Sequence, residues 1–234
     1  MNVIQTADGS PTLFSERYNE SFHSTFGAAT ESRYVFLENS GVSERLRTGQ
    51  ATRILEIGFG LGLNALLSCD AAIASNTPLS YHAFEHDYSV CELGQHVVFS
   101  QLLEKPALAG VLQTHLGQVK RPSHGQQNPC TVIEFAPDTT LKLHWGDATT
   151  DMPPMDTFDA IYLDAFSPDN NPECWTPGFF ERLKPLMSAD AKLSTYCAKG
   201  SVRRALIACG FLVKKLPGPP GKREIMVASL RSDG

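Results

Sequence analysis

The chain has 234 residues, 42% of them apolar and 19% charged, enough for one α/β domain with a substantial core and a modest appendage. No apolar run approaches the length that crosses a bilayer, and the N-terminus lacks the basic patch and apolar core of a secretory signal. The net charge of −5 argues against a nucleic-acid partner only if it is spread evenly. It is not: residues 191–223 have no acid and eight bases, while residues 1–190 carry 23 acids against 11 bases. A basic segment on an acidic body predicts a local anionic docking site; a solvated helix face followed by a basic turn is the plainer alternative. The six cysteines show no CxxC and no regular spacing, which predicts reduced, packed thiols in a cytoplasmic protein. His82 and His86 are four apart but straddle the end of a predicted strand, so no metal site is expected.

In chain order, residues 1–50 are polar with one compact apolar stretch at 34–37, and read as an N-terminal extension of a main domain at 51–234. The run 53–58 is short, apolar and ends in glycine, a buried strand; 64–74 is helical; 79–84 is a second strand closed by Glu85. Residues 88–117 predict two helices broken near Pro106. The runs 131–135 and 141–145, with turn residues at 136–140, form an inserted β-hairpin. A buried strand at 158–163 is followed by a loop rich in Pro, Asp and Asn. Then come a helix at 179–186, a strand at 192–197, and a helix at 201–208 capped by Gly210. The runs 211–215 and 224–230 close the domain as an antiparallel pair across 217–221. The alternation predicts an α/β fold with a mostly parallel seven-stranded sheet and an antiparallel C-terminal strand.

The chemistry begins at Leu55-Glu56-Ile57-Gly58-Phe59-Gly60-Leu61-Gly62-Leu63-Asn64. Glycines after a strand let the backbone pass close to a ligand, and the next helix directs its N-terminal NH groups at that loop. The dinucleotide spacing G-x-G-x-x-G fails because residue 63 is leucine. Glu56, two residues before the first glycine, suits a cationic amine such as the methionyl end of S-adenosylmethionine and would repel a pyrophosphate. Glu85 is placed to accept hydrogen bonds from ribose hydroxyls, and Asp147 to receive the adenine amine. Each acid alone reads as a strand-end turn former. Three at consecutive carboxyl-end loops mark the edge where open α/β sheets bind ligands. The expected cofactor residues are therefore Glu56, Gly58, Phe59, Gly60, Gly62, Asn64, Glu85, Asp147 and Asp164.

The most specific run is Tyr162-Leu163-Asp164-Ala165-Phe166-Ser167-Pro168, continuing to Pro172 and Trp175. With the glycine loop, Glu85, the stretch Lys199 to Arg204 and the stretch Pro217 to Glu224, it resembles the methyltransferase domain of the MnmC family. The resemblance spans nearly the whole chain. The N-terminal run Asp8-Gly-Ser10, Thr12-Leu, His23-Ser24, Gly27-Ala and Glu31-Ser-Arg-Tyr-Val-Phe36 resembles the stand-alone, MnmD-like branch of that family. Leu61 and Cys174 depart from the family's common threonine and methionine. The resemblance implies a Rossmann-like class I methyltransferase that uses S-adenosylmethionine, releases S-adenosylhomocysteine and needs no metal and no flavin. Its implied substrate is 5-aminomethyl-(2-thio)uridine at the wobble position, in the anticodon stem-loop of tRNA. A separate flavoprotein or the wobble-uridine aminomethylation enzymes would act first, in the cytoplasm, and no membrane is involved.

An ammonium has no lone pair, so the enzyme must bind the neutral amine or accept its proton. Asp164 is the expected catalytic acid, with the Ala165 or Phe166 carbonyl as second acceptor and the Phe166 ring stacking on the uracil or covering the methyl. Lys199, Arg203, Arg204, Lys222 and Arg223 are expected to meet phosphates, with His23 and Arg33 lining the other side. Two rivals share these motifs in part: a spermidine-synthase-like aminopropyltransferase, and a non-catalytic RNA-binding protein with a degenerate nucleoside pocket.

Overall fold

A computed structural model of the chain describes residues 3–121, 129–152 and 156–231. The N-terminal segment forms two short hairpins, β1 (Ile4–Gln5) with β2 (Pro11–Thr12) and β3 (Phe14–Ser15) with β4 (Glu20–Ser21). Then follow α1 (Ala28–Glu31), a π-helical stretch over Ser32–Glu38 and α2 (Val42–Arg47). The apolar stretch predicted at 34–37 falls in the π-helical part, where Val35 and Phe36 are buried. The main domain continues with β5 (Thr52–Ile57), α3 (Leu63–Ala74), β6 (Leu79–Glu85), α4 (Ser89–Leu93) and α5 (Ala107–Leu116). Next come β7 (Cys130–Ala136), β8 (Thr139–Trp145), β9 (Phe158–Leu163) and α6 (Pro177–Leu183). The chain ends with β10 (Met187–Thr195), α7 (Gly200–Ala208), β11 (Leu212–Pro217) and β12 (Glu224–Ser229).

The eight-stranded sheet runs β11-β12-β10-β9-β5-β6-β8-β7. β10, β9, β5, β6 and β8 are parallel, β12 is antiparallel between β10 and β11, and β7 pairs antiparallel with β8. The sheet is thus the expected seven strands, with the outer strand of the inserted hairpin added at one edge. Strand order reverses between β5 and β9, a topological switch point, so the crevice above their carboxyl ends is where a ligand belongs.

Both faces of the central strands are covered, which is why β5 and β9 read as near-continuous apolar runs. Ile54 packs in one core with α3, α5 and the N-terminal residues Leu13, Val35, Phe36, Val42 and Leu46. Leu55 and Ile57 point into the opposite core with α6 and α7. The Ser194 hydroxyl donates to the Val35 carbonyl at 2.5 Å, so the N-terminal segment is hydrogen-bonded to the sheet as well as packed on it.

Two local expectations change. The helices predicted across 88–117 are short, with an irregular stretch between them, because the Asp70 carboxylate accepts the Glu104 and Lys105 backbone NH groups at 2.8 Å and holds that stretch against α3. The strand predicted at 192–197 starts earlier and stops at Thr195, leaving Tyr196 and Cys197 at the carboxyl edge. α6 begins as its sequence dictates, with Thr176 Oγ1 accepting from the Phe179 NH and proline at its first turn.

Candidate active site

A cavity of about 730 Å³ opens at the carboxyl ends of β5, β6, β8 and β9, and its outer wall is made by the N-terminal residues 17–26. On the inner wall, Gly58 (φ 92°) and Gly60 (φ 54°) occupy left-handed backbone. A Cβ on Gly58 would lie 2.7 Å from the Asp164 carbonyl oxygen, so only glycine lets the loop seat against the end of β9. The Gly60 NH donates to Glu85 Oε2 at 2.9 Å, and the Asp87 NH to Oε1 at 2.8 Å. Glu85 is held with one NH on each oxygen, which leaves its remaining lone pairs for a diol. Burial raises its proton affinity. Asp147 lies at the exposed rim, where Oδ1 accepts from the Thr149 NH and hydroxyl at 2.7 Å.

Asp164 follows β9, with its NH on the Ile57 carbonyl at 2.9 Å. Asn64, in the first turn of α3, donates from one nitrogen to Asp164 Oδ2 at 2.7 Å and to Glu56 Oε1 at 2.8 Å. Burial, reinforced by the nearby Glu56 and Glu31 carboxyls, pushes the Asp164 carboxyl well above the usual range. Asn64 Oδ1 is buried without a hydrogen-bond partner and lies in the cavity wall, an acceptor open to a bound ligand.

Several expected roles are corrected by position. Glu56 is 0% exposed and lies behind Asn64, outside the cavity lining. Burial pushes its carboxyl up to about 8, and its Oε1 accepts from the Asn64 amide, which it orients. The Ala165 and Phe166 carbonyls already accept hydrogen bonds from the Tyr196 hydroxyl and the Trp175 indole, both at 2.9 Å. These bonds fix the loop and leave each carbonyl one further lone pair. Phe166 lines the cavity, but one of its faces carries Tyr18, stacked at 4.3 Å and 17°, with Phe22 tilted at 5.3 Å. His23 also lines the cavity; burial lowers its imidazole to about 4, so it is neutral, and Nδ1 pairs with Thr12 Oγ1 at 3.0 Å. Arg33 turns away to the Leu102 carbonyl, and Lys199 pairs with Asp169. Arg203, Arg204 and Arg223 are exposed outside the cavity, whereas Lys222 turns into it.

The sequence places the N-terminal extension beside the site through His23 and Arg33, but it does not single out Tyr18 and Glu20. Glu20 accepts from the Ser167 NH at 3.1 Å and from Asn170 Nδ2 at 2.9 Å, clasping the loop after Asp164. The Tyr18 hydroxyl lies 2.6 Å from His86 Nε2. Tyr196 and Glu31 were missed as well. The signal that marks Tyr18 and Glu20 is a run of aromatic and polar types between 17 and 23, which has no helical or strand period.

Known proteins bear on this geometry. The family model described as S-adenosyl-L-methionine-dependent methyltransferase matches residues 110–231. The chain is 34% identical over 231 residues to the tRNA 5-methylaminomethyl-2-thiouridine biosynthesis bifunctional protein MnmC of Ralstonia nicotianae, covering 95% of this chain and 33% of that protein. It is 31% identical to the protein of the same description in Paraburkholderia xenovorans, covering 94% and 33%. The chain therefore spans about a third of the length of these relatives. Among solved structures, MnmC2 from Aquifex aeolicus superposes with a TM-score of 0.77 at 28% identity, covering 98% of this chain and 70% of that one.

Proposed function

Because the chain belongs to the S-adenosyl-L-methionine-dependent methyltransferases, we propose that it N-methylates the side-chain amine of 5-aminomethyl-(2-thio)uridine at the tRNA wobble position. The modified nucleoside for which the relatives are named supplies the substrate class. The observation that carries the chemistry is Asp164: a half-buried carboxyl at the cavity wall, held by Asn64 beside the glycine loop.

The site fits the methyl donor on its own geometry. Gly58 and Gly60 leave the inner wall without side chains, Glu85 keeps lone pairs for a ribose, and Asn64 Oδ1 lacks a donor. Those residues, with Phe59, Gly62 and Asp147 around them, would hold S-adenosyl-L-methionine, which when bound supplies an electrophilic methyl on a sulfonium.

The remaining work falls to the chain. Asp164 accepts an amine N–H, which turns the nitrogen lone pair away from the carboxyl and towards the donor side. Its raised proton affinity also lets it take the proton that the nitrogen must lose. Tyr18, Phe22 and Phe166 close an aromatic wall that excludes water and offers faces to a flipped base. Arg203, Arg204 and Arg223 lie outside the cavity, exposed, where anticodon-stem phosphates can reach them. An enzyme that exposes the primary amine, a flavoprotein or a wobble-uridine aminomethylating system, must act first.

The deciding experiment is methylation of tRNA carrying 5-aminomethyluridine, read by nucleoside mass spectrometry. Formation of the methylaminomethyl nucleoside is the expected result, and its absence with active donor binding overturns the substrate assignment. A thermal-shift comparison of S-adenosyl-L-methionine with its decarboxylated form and NAD separates the aminopropyltransferase and binding-only readings.

A further inference from the structure

Lys222 belongs to the basic segment, yet it is half-buried and lines the cavity. The β11–β12 turn is pinned by hydrogen bonds from the Gly218 NH to the Arg223 carbonyl at 3.1 Å and from the Lys222 NH to the Pro219 carbonyl at 2.9 Å. Phe26 seats directly on Gly221, which has φ +83° and no room for a Cβ. Lys222 Nζ thus lies 4.5 Å over the Tyr196 ring and 3.1 Å from Glu31 Oε1. Glu31 is 8% exposed; its Oε2 accepts from the Ser24 NH at 3.1 Å, while its Oε1 faces the Lys222 ammonium. Glu31, Tyr196 and Lys222 all line the cavity.

Contacts link these groups to one another along the cavity wall. Asp164 precedes Ala165, whose carbonyl holds Tyr196; Tyr196 carries Lys222, and Lys222 meets Glu31. A 5-aminomethyluracil presents groups complementary to these three along one edge: the amine on C5, the O4 acceptor and the N3–H donor. Resting on the methyl-transfer reading above, we propose that Lys222 and Glu31 read the uracil edge, the ammonium donating to O4 and the carboxylate accepting N3–H. Cytosine reverses both polarities, setting its N4 amino group against the ammonium and its bare N3 against the carboxylate. The pair therefore selects uracil over cytosine while Asp164 receives the amine.

The test uses anticodon stem-loop RNAs whose wobble nucleoside is 5-aminomethyluridine, its N3-methylated form or 5-aminomethylcytidine, with kcat/KM for methyl incorporation as readout. The wild-type protein should prefer uridine over cytidine by on the order of 10⁴ and reject the N3-methyl form. Glu31→Leu and Lys222→Met should each cut that preference by at least about 100-fold, with donor affinity by calorimetry unchanged. Glu31→Gln, which keeps an acceptor and nearly the same shape, should retain more of the preference than Glu31→Leu and serves if the leucine variant fails to fold. Wild-type selectivity in the variants overturns the proposal and leaves Glu31–Lys222 a structural ion pair. A wild-type protein that methylates none of the RNAs instead overturns the methyl-transfer reading, and this one with it.

Discussion

The amide of Asn64 donates to Asp164 at 2.7 Å and to Glu56 at 2.8 Å from the same nitrogen, so the carboxyl at the end of β9 is aimed by an acid buried beneath it. Two carboxyls sharing one amide cannot both ionise cheaply. Burial pushes Glu56 up to about 8, and Asp164 is raised well above the usual carboxylate range by burial and then by Glu56.

This arrangement makes the rate depend on pH. Only the Asp164 carboxylate accepts a proton, and its affinity is raised, so single-turnover methylation should climb as pH rises through its titration. Asp164→Asn should keep the bond geometry, lower the rate by about 100-fold or more and remove that limb. A stopped assay across pH at saturating donor checks it; an unchanged profile would leave Asp164 a structural cap.

Glu56 also carries a stability cost with a defined sign. Its proton affinity is higher folded than unfolded, so its favourable contribution is complete below about 4.5 and is lost as pH rises towards about 8. Each pH unit crossed costs up to about 1.4 kcal/mol. Glu56→Gln removes the titration while keeping an acceptor for Asn64. The variant's Tm advantage over wild type should therefore widen from pH 5 to pH 8, and a gap that shrinks over that range contradicts a neutral Glu56.

In the glycine loop, a Cβ on Gly60 already comes within 3.2 Å of Phe22, so Gly60→Val should fill the inner wall and abolish donor binding. Glu85→Ala should weaken it by about 1–3 kcal/mol, the loss of a buried acceptor for the ribose. Calorimetric affinities equal to wild type in both variants would remove the donor from this end of the cavity.

The N-terminal wall is separable from the fold. Glu20→Ala removes the acceptor that holds Ser167 and Asn170, and Tyr18→Ala removes the ring stacked on Phe166. Together they should speed hydrogen exchange at 165–171 and lower kcat/KM for tRNA by about 10-fold, with Tm changed little because the contacts are partly exposed. Unaltered exchange there would show that the loop holds its shape without the clasp.

For tRNA, the informative cations are Arg203, Arg204 and Arg223, exposed and outside the cavity, and not Lys222. Replacing the three by alanine should reduce the slope of log affinity against log salt by about 2–3 and raise the Michaelis constant for tRNA. Donor affinity should stay constant. A filter-binding salt titration with an unchanged slope would make this face merely solvated.

Much of the site was legible because its signals are local. A buried strand followed by glycines, an acid ending β6 and another ending β9 are each written within a few residues, and a parallel α/β sheet brings its strand ends to one edge. What sequence could not say is which groups at that edge are already bonded. Glu56 sits in the motif yet behind the wall; the Ala165 and Phe166 carbonyls each already hold one hydrogen bond, from Tyr196 and Trp175. Glu20 meets Ser167 across 147 residues, and Lys222 leaves a basic run to meet Glu31. Residue type and spacing set which chemistry the chain can do. Burial and contacts between distant segments, which depend on how the N-terminal element packs over the sheet, set which carboxyl lies behind the wall, which carbonyl already holds a hydrogen bond and which lysine faces the cavity.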